Sequence, residues 1–386
     1  MKKILFVEKA GQYNVIGLML IHIADAFQKL GYAVEIAHYE YLKKIDFQIK
    51  ADYIFSINGF LGDGTFSEIL KKINSKWITL LVDSPYYHTQ TLDYVTDKFI
   101  PVSIDKAHQE IIKNVFYHKN ALFMPFGAPE NIFQEMKDIN TRKIPIAFFG
   151  SLGSKNEWRN RALEYFNNLT ILVEYLENKL NEYAEKYKLI YTDLLFEEIK
   201  TDFFKIISIA ENEKFLLEIK LYHIVDSYFR MNNRLNILNA LKDMALAIFG
   251  NINPEDFEKN KFVINKNLPF DKTLMFMANT AVVLTISPSM IYSMSERLTY
   301  SMSLGNIIVA DTNNYIAENF NDQKIGYFFN SDDLANLKEK IQNILANPKL
   351  KKEYSEFARS EFLKNHTWTI RIKQLIKDLK QLHYDI

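Results

Sequence analysis

The stretch SMSERLTYSMSLGNIIVAD, residues 293–311, decides the fold of this chain. An apolar-periodic run starts behind Glu296 and Arg297 and stops at Gly305, which has the position of a glycine that ends a helix. Residues 307–310 then form a short apolar run typical of a buried strand. Because a helix that begins with an arginine attracts anions, the motif suits a phosphate or a diphosphate. The alternative is a solvated charge pair that caps the helix.

Short apolar runs alternate with amphipathic helical patterns on both sides of this stretch. The alternation predicts an α/β protein with doubly wound parallel sheets, which bind ligands at the carboxyl ends of their strands. Residues 157–241 depart from it, since a helical pattern of that length without proline or glycine predicts an inserted helical bundle. The strands are predicted at 3–7, 33–37, 53–57, 77–82, 99–102, 121–124, 146–149, 245–249, 262–264, 281–285 and 307–310.

Composition limits the class of protein. A chain of 386 residues with 48% hydrophobic side chains has material for two or three domains. The 47 basic and 47 acidic residues cancel, which argues against a nucleic-acid partner. The absence of cysteine excludes disulfides and thiolate chemistry. Neither the N-terminus nor residues 15–26 has the pattern of a signal peptide or a transmembrane span, so a soluble, cytoplasmic protein is expected.

The turns after the first strand of each half identify the ligand class by exclusion. Glu8-Lys9-Ala10-Gly11-Gln12 and Gly150-Ser151-Leu152-Gly153 both lack the dinucleotide fingerprint, and no Walker lysine loop is present. A nicotinamide dehydrogenase and a P-loop enzyme are therefore not expected. The remaining large class with two Rossmann-like halves binds a nucleotide sugar in the cleft between them.

The C-terminal half resembles the GT-B glycosyltransferases of the CgeB-like type. The resemblance rests on a run of the form ERxxxxMxxGxxVxxD followed by an Asn-Tyr turn, and it touches most of the chain through shorter motifs. These matches are Glu296-Arg297 through Asp311, Asn314-Tyr315, Glu318-Asn319-Phe320, Asn365-His366-Thr367-Trp368 with Arg371, Asp226-Ser227-Tyr228-Phe229-Arg230 with Arg234, Val82-Asp83-Ser84-Pro85-Tyr86-Tyr87-His88, and Asp105-Lys106-Ala107-His108.

The resemblance implies a GT-B architecture of two Rossmann-like domains that face a cleft. Residues 1–140 would form the acceptor-side domain. Residues 141–365 would form the nucleotide-sugar domain, with the helical insert at about 157–241. A terminal helix at 366–386 would cross back to the first domain, with Trp368 as a packing anchor.

The resemblance also implies donor-binding residues. Arg297 would hold the donor diphosphate and Glu296 a sugar or ribose hydroxyl; an intramolecular salt bridge and an exposed cap are the alternatives. Ser295 belongs to the same motif. Tyr300 stands near the position where many GT-B enzymes have an acid that binds ribose, and a phenol cannot clamp a diol as a carboxylate does. Further donor contacts are expected from two turns that follow strands, Gly150-Ser151 and Gly250-Asn251, although each also fits an ordinary turn.

Asp83 and His88 are the candidates for the catalytic base, because transfer to a hydroxyl needs a group that removes its proton. An Asx turn at Asp83 and a surface position for His88 are the alternatives. His108 is a weaker candidate, and His22 is expected in the core. No Asp-x-Asp stands in a metal-binding loop, so neither a metal nor another cofactor is expected.

The sequence therefore predicts a metal-independent glycosyltransferase that moves a sugar from a nucleotide-diphosphate donor to a hydroxyl of a glycan or protein. A nucleotide-sugar epimerase on the same fold and a catalytically inactive scaffold or binding subunit are the alternatives. The helical insert is a candidate surface for homo-oligomers.

Overall fold

The computed structural model describes residues 1–8, 14–44, 49–59, 65–133, 135–251, 262–265, 268–286, 289–320 and 324–386. Part of the turn after the first strand, from Lys9 to Gln12, lies outside these ranges. The described residues form two parallel sheets flanked by helices, which confirms the predicted α/β class.

The first sheet has six parallel strands in the order β2-β1-β3-β4-β5-β6. Its core contains Trp77, Leu81 and Phe99, all fully buried. The strands are β1 (Lys3–Glu8), β2 (Ala33–His38), β3 (Tyr53–Ile57), β4 (Lys76–Leu81), β5 (Phe99–Ser103) and β6 (Leu122–Phe123), and the helices among them are α1 (Val15–Lys29), α2 (Tyr39–Lys44), α3 (Thr65–Lys72), α4 (Thr89–Leu92) and α5 (Lys106–Asn114).

The second sheet also has six parallel strands, in the order β12-β11-β10-β7-β8-β9. Phe148, Val282 and Val309 lie in its core with no exposure. The strands are β7 (Ile144–Phe149), β8 (Leu246–Phe249), β9 (Phe262–Asn265), β10 (Thr280–Thr285), β11 (Ile307–Asp311) and β12 (Gly326–Phe329).

Four helices stand between β7 and β8, where the helical pattern predicted an insertion. The first begins with a capping box in which the Ser154 hydroxyl accepts from the Glu157 N–H at 3.1 Å and the Glu157 carboxylate accepts from the Ser154 N–H at 3.0 Å. Trp158 ties it to the last helix by donating to the carbonyl of Ile224 at 2.9 Å. The helices are α6 (Lys155–Tyr165), α7 (Thr170–Lys186), α8 (Thr192–Lys205) and α9 (Glu211–Ala240).

Six α-helices follow β9 in the residues that the structure describes. Gly305, with φ +62°, ends α11 in the left-handed conformation that glycine adopts without strain, as the opening motif predicted. No helix in the described ranges is both long and apolar enough to span a bilayer. The six helices are α10 (Phe270–Ala278), α11 (Glu296–Ser303), α12 (Asn314–Asn319), α13 (Leu337–Ala346), α14 (Pro348–Asn365) and α15 (Trp368–Gln381).

Internal contacts divide the chain into two compact units. The first unit contains Met1–Gln134, Tyr292–Ser303 and Ser360–Ile386, and the second contains Glu135–Ile291 and Leu304–Arg359. Helix α11 therefore belongs to the first unit, although strands of the second unit precede and follow it in the chain. Helix α15 also belongs to the first unit, where Trp368 is 1% exposed.

Candidate functional site

The strand order of the second sheet places a topological switch point between β7 and β10. From β7 the chain proceeds outward to β8 and β9, and it then returns to the other side of β7 to add β10, β11 and β12. In doubly wound sheets, a ligand binds outside the carboxyl ends of the two strands at which this order reverses. The turn that begins at Gly150 follows β7, and residues 286 and 289–291 follow β10.

The turns after β7 and β8 are joined to each other by hydrogen bonds. Gly150 N–H donates to Phe249 O at 2.9 Å, and Leu152 N–H donates to Asn251 O at 2.8 Å. The Ser151 hydroxyl accepts from Asn251 N–H at 3.2 Å. These bonds bring together four residues that were predicted to bind the donor, at the carboxyl ends of β7 and β8: Gly150, Ser151, Gly250 and Asn251.

Only a glycine fits at position 250, for a reason that is independent of any ligand. A Cβ at this position would lie 2.1 Å from the carbonyl oxygen of Gly150, a distance that no side chain tolerates. The glycine lets the two turns approach, which is the ordinary-turn alternative. It leaves the contribution of Gly250 to ligand binding a prediction.

Two arginines one turn apart on α9 contact the elements that follow β7 and β10. Arg234 Nη1 donates to Ser151 O at 2.6 Å, and Arg230 Nη2 donates to the Ser289 hydroxyl at 3.1 Å. Both side chains are only half-buried, with 31% of the Arg230 side chain exposed. Because guanidinium groups bind phosphate oxygens bidentately, this edge of the sheet is suited to a phosphorylated ligand.

A fully buried carboxylate orients Arg230. Asp226, with no exposure, accepts from Arg230 Nη2 at 2.5 Å and from the Thr192 hydroxyl at 3.1 Å. A buried carboxylate needs such partners, since an unpaired charge would be costly to bury. Asp226 therefore fixes the guanidinium at one position on the sheet edge.

A second buried bond holds the end of β11. Tyr191 lies before α8, and its hydroxyl donates to the Asp311 carboxylate at 3.1 Å and lies 2.5 Å from Thr312 O. Burial, together with the Asp311 charge, raises the pKa of Tyr191 well above its usual value, so the phenol stays protonated. The helical insertion thereby anchors one more strand end at this edge.

The remaining residues that were predicted to bind the donor lie at the start of α11, in the first unit. Ser295 is buried and caps the helix, because its hydroxyl accepts from Leu298 N–H at 3.4 Å. Arg297 Nη2 lies 3.3 Å from Glu296 Oε1, and 24% and 20% of these two side chains are exposed. The pair forms the salt bridge that the sequence left as the alternative, and both groups retain partial contact with solvent.

Tyr300 differs from its expected position. Its side chain is fully buried in the first unit, and the phenol lies 3.0 Å from His22 Nδ1. Burial raises the pKa of Tyr300 above its usual range and lowers that of His22, so both groups are neutral at pH 7. The hydroxyl faces the protein interior, so we omit Tyr300 from the proposed donor site.

Asp83 and His88 lie together at the carboxyl end of β4. Pro85 starts a 3₁₀ turn in which His88 N–H donates to Pro85 O at 2.9 Å, and this turn brings the imidazole back toward the strand end. His88 Nε2 lies 4.0 Å from Asp83 Oδ2. The side chain of Asp83 is 46% exposed and that of His88 is 10% exposed, so the carboxylate is the more accessible base.

Asn58, in the turn after β3, orients Asp83. Its amide Nδ2 donates to Asp83 Oδ2 at 3.3 Å, and its Oδ1 accepts from Val82 N–H at 2.8 Å. Asn58 has φ +61°, a left-handed conformation that asparagine adopts more readily than most residues. The pair of candidate catalytic groups thus rests on a defined turn.

The other two histidines of the family motifs lie in the interior. His108 is 1% exposed on α5. His366 is buried and accepts at Nδ1 from Arg371 Nη2 at 2.7 Å, while its Nε2 lies 3.4 Å from Glu361. Burial lowers the pKa of His366 to about 4, so the ring is neutral at pH 7. Neither imidazole is placed to meet a substrate.

The sequence analysis named Arg230 and Arg234 in a motif of the family resemblance without giving them a role, and it did not name Asn58. The available signal for the arginines was their spacing, because residues four apart share one face of a helix. For Asn58 it was an Asn-Gly turn directly after a strand. The contacts of these three side chains depend on the topology of the sheets, which could not be derived from the sequence pattern.

Comparisons with known proteins agree with this architecture. Residues 233–377 match the family model described as "Glycosyl transferase-like". The fold is similar to an α-glucosyltransferase in complex with UDP-glucose and DNA containing an abasic site (TM-score 0.62, 9% identity, covering 98% of this chain and 99% of that one). A comparison with curated protein sequences gives no match.

Two further solved structures have the same fold. Sucrose-phosphate synthase from Thermosynechococcus elongatus is similar with a TM-score of 0.54 and 9% identity, covering 99% of both chains. Anabaena Alr3699/HepE in complex with UDP and glucose is similar with a TM-score of 0.54 and 11% identity, covering 99% of this chain and 100% of that one. The chain therefore has the GT-B glycosyltransferase fold, and its residues 233–377 carry the glycosyl transferase-like family match.

Proposed function

We propose that this protein is a CgeB-like glycosyltransferase that moves a sugar from a nucleotide-diphosphate donor to a hydroxyl of a glycan or protein. The proposal rests on two hydrogen bonds made by arginines of α9. Arg234 donates to Ser151, which follows β7, and Arg230 donates to Ser289, which follows β10. The topological switch point between those strands is where a doubly wound sheet binds nucleotides. Two guanidinium groups beside it supply the positive charge that a diphosphate needs.

The donor diphosphate would bind to Arg230 and Arg234, with backbone groups of the Gly150-Ser151 and Gly250-Asn251 turns beside it. Arg297 and Glu296 are proposed as further donor contacts on the strength of their motif. Their ion pair would open when a phosphate replaces the carboxylate as the partner of Arg297.

In the proposed reaction, the acceptor oxygen forms a bond to the anomeric carbon of the sugar while the bond from that carbon to the diphosphate breaks. The electron pair of the broken bond leaves with the nucleoside diphosphate, and the acceptor proton passes to Asp83. The exposure of Asp83 supports its role as the base, and Asn58 holds its carboxylate in place. His88 lies close enough to stabilise the carboxylate by charge when it is protonated.

We propose that the reaction needs no metal ion, since arginine side chains can stabilise the negative charge of the leaving diphosphate. Kinetics in EDTA test this directly. Turnover unchanged by the chelator supports the proposal, and activity restored only by Mg²⁺ or Mn²⁺ contradicts it.

UDP-glucose is the first donor to test, because two of the similar structures contain UDP or UDP-glucose. The decisive experiment measures the melting temperature with UDP-, GDP-, CMP- and dTDP-sugars, followed by donor hydrolysis and transfer. A stabilising donor that is also hydrolysed or transferred supports the proposal. Binding with isomerisation of the sugar would indicate an epimerase, binding without turnover would indicate a scaffold, and no binding at all would overturn the donor site.

A further inference from the structure

The helical insertion has an apolar surface that the described chain leaves exposed. It surrounds a groove of about 480 Å³ between the start of α9, the turn that joins α6 to α7, and the end of α8. Leu169 and Leu216 in its lining are both 58% exposed. Ile206 and Phe215, next to lining residues in the chain, are 48% and 39% exposed. We name this surface, centred on Leu216, the α9 patch.

Helix α9 is exposed at its start and buried farther along, so its exposed leucines are concentrated in one short segment. Helix α9 is buried at Leu221, Ile224 and Val225, whereas its residues 211–216 are exposed. Contiguous apolar surface on a protein marks a site of interaction with another apolar surface. The α9 patch therefore calls for a partner with a complementary apolar face.

The charges that flank the α9 patch show which partner fits. Glu213 and Lys220 both line the groove, seven residues apart on the same face of α9, with Leu216 and Leu217 between them. Lys220 Nζ donates to Tyr165 O at 3.3 Å. Across the parts of the chain that the structure describes, no cation lies within ion-pair distance of Glu213. One end of the patch is thus acidic and the other is basic.

A second copy of the same helix complements this order of charges. In an antiparallel pair centred between Leu216 and Leu217, each Leu216 packs against the Leu217 of the other copy. The same register sets Glu213 opposite Lys220 twice, once on each side of the two-fold axis. Two-fold dimers use one patch that is complementary to itself, and the α9 patch has this property.

We propose that the protein forms a two-fold dimer through the α9 patch, with paired leucines at its centre and a Glu213–Lys220 ion pair at each end. The proposal does not depend on the donor site or on the reaction. Apolar contact provides the affinity, and the charges fix the antiparallel register.

The test is the mass of the full-length protein by light scattering after size exclusion, over a range of concentrations. The wild type is expected at twice the 45.3 kDa of the chain. Leu216→Asp should make it monomeric, because it introduces two carboxylates at the centre of the interface. Leu194→Asp is the matched control: Leu194 is a 63% exposed leucine of α8 that does not line the groove, and this variant should remain a dimer.

Charge reversal tests the register. Glu213→Lys and Lys220→Glu each place like charges opposite one another, and each should raise the dissociation constant at least tenfold. The double variant restores opposite charges in the same register and should return the dissociation constant to within about threefold of the wild type. A monomeric wild type, or a dimer indifferent to these changes, would overturn the proposal. Circular dichroism melting of each variant distinguishes dissociation from unfolding.

Discussion

Arg234 Nη1 donates a hydrogen bond of 2.6 Å to the carbonyl oxygen of Ser151, so a guanidinium is fixed to the turn after the first strand of the second sheet. Arg234→Ala should raise the KM for the donor about 10- to 100-fold, as expected when a charged hydrogen-bonding partner of a phosphate is lost. Arg234→Lys keeps the charge without the planar fork and should recover only part of the affinity.

Initial-rate kinetics at varied donor concentration check this prediction. Arg159→Ala is the control, because Arg159 pairs with Glu174 and Glu177 within the helical insertion. An Arg234→Ala enzyme with an unchanged donor KM would contradict the proposed donor site.

Asp83→Asn should lower kcat by a factor of about 100 to 10,000, because the amide cannot accept the acceptor proton. The melting-temperature shift caused by donor should stay the same, since the base does not hold the diphosphate. The control is Asp97→Asn, which alters an exposed carboxylate paired with Lys76. A full kcat in Asp83→Asn would transfer the role of base to another group.

Arg297→Ala and Glu296→Gln separate the two interpretations of the opening motif. If Arg297 binds the diphosphate, Arg297→Ala weakens donor binding roughly 10-fold or more. In that case Glu296→Gln removes the charge that competes for Arg297 but keeps an oxygen that can accept from a sugar hydroxyl, so donor binding stays unchanged or improves. Isothermal titration with donor measures both. Equal losses of thermal stability with no effect on donor would leave the pair as a structural salt bridge.

The hydrophobic pattern predicted helices and strands correctly where it extends over many residues. Its predictions were less complete where the run of patterned residues is short. The helix of the opening motif, its terminal glycine and β11 all lie where they were predicted. β12 was not predicted, because it begins at Gly326, a residue type that is typical of turns rather than strands. The α/β class itself followed from alternation over the whole chain.

The site could be predicted only in part, and Tyr300 shows why. Residues Leu298 to Ser303 of α11 are all buried, so this short helix has no polar face from which the direction of Tyr300 could be read. Similarly, Arg234 is more than eighty residues from Ser151 in the chain. Their contact depends on how α9 lies across the strand ends, which is a property of tertiary packing.

Gly250→Ala should destabilise the protein by about 2 to 4 kcal/mol, because the new Cβ would clash with the backbone of the neighbouring turn. Urea unfolding gives the free energy. Gly153→Ala is the matched control, since a Cβ there meets nothing within 4 Å. Equal stability of the two variants would show that the turns can move apart without cost.

Stability should fall as the pH falls from about 6.5 toward 4, because of His366. Its folded pKa of about 4 lies below the usual 6.5, so the unfolded chain takes up the proton over this interval while the folded protein does not. Protonation would also remove the lone pair that accepts from Arg371. His366 lowers the free energy of unfolding by ~3 kcal/mol at most between pH 6.5 and pH 4.

Urea midpoints between pH 7 and pH 4.5 test this prediction. His366→Gln keeps an acceptor for Arg371 but does not titrate, so its pH dependence should be shallower than that of the wild type. The control is His38→Gln, at an exposed position on β2, which should keep the wild-type slope. A parallel slope for His366→Gln would assign the acid sensitivity to the two other histidines whose pKa is lowered by burial, His22 and His118.

The discontinuity of the first unit has a consequence for its synthesis. Trp368 on α15 packs against Gly127, where a Cβ would lie 2.9 Å from the indole, and the backbone N–H of Trp368 donates to Ala128 O at 2.9 Å. The ribosome makes residue 134 some two hundred and fifty residues before it completes α15. At roughly 5 to 20 residues per second, the first sheet must therefore wait on the order of 10 to 50 seconds for its last helix. During that interval the growing chain exposes a surface that the folded protein buries, and a chaperone that shields it would increase the yield of folded protein.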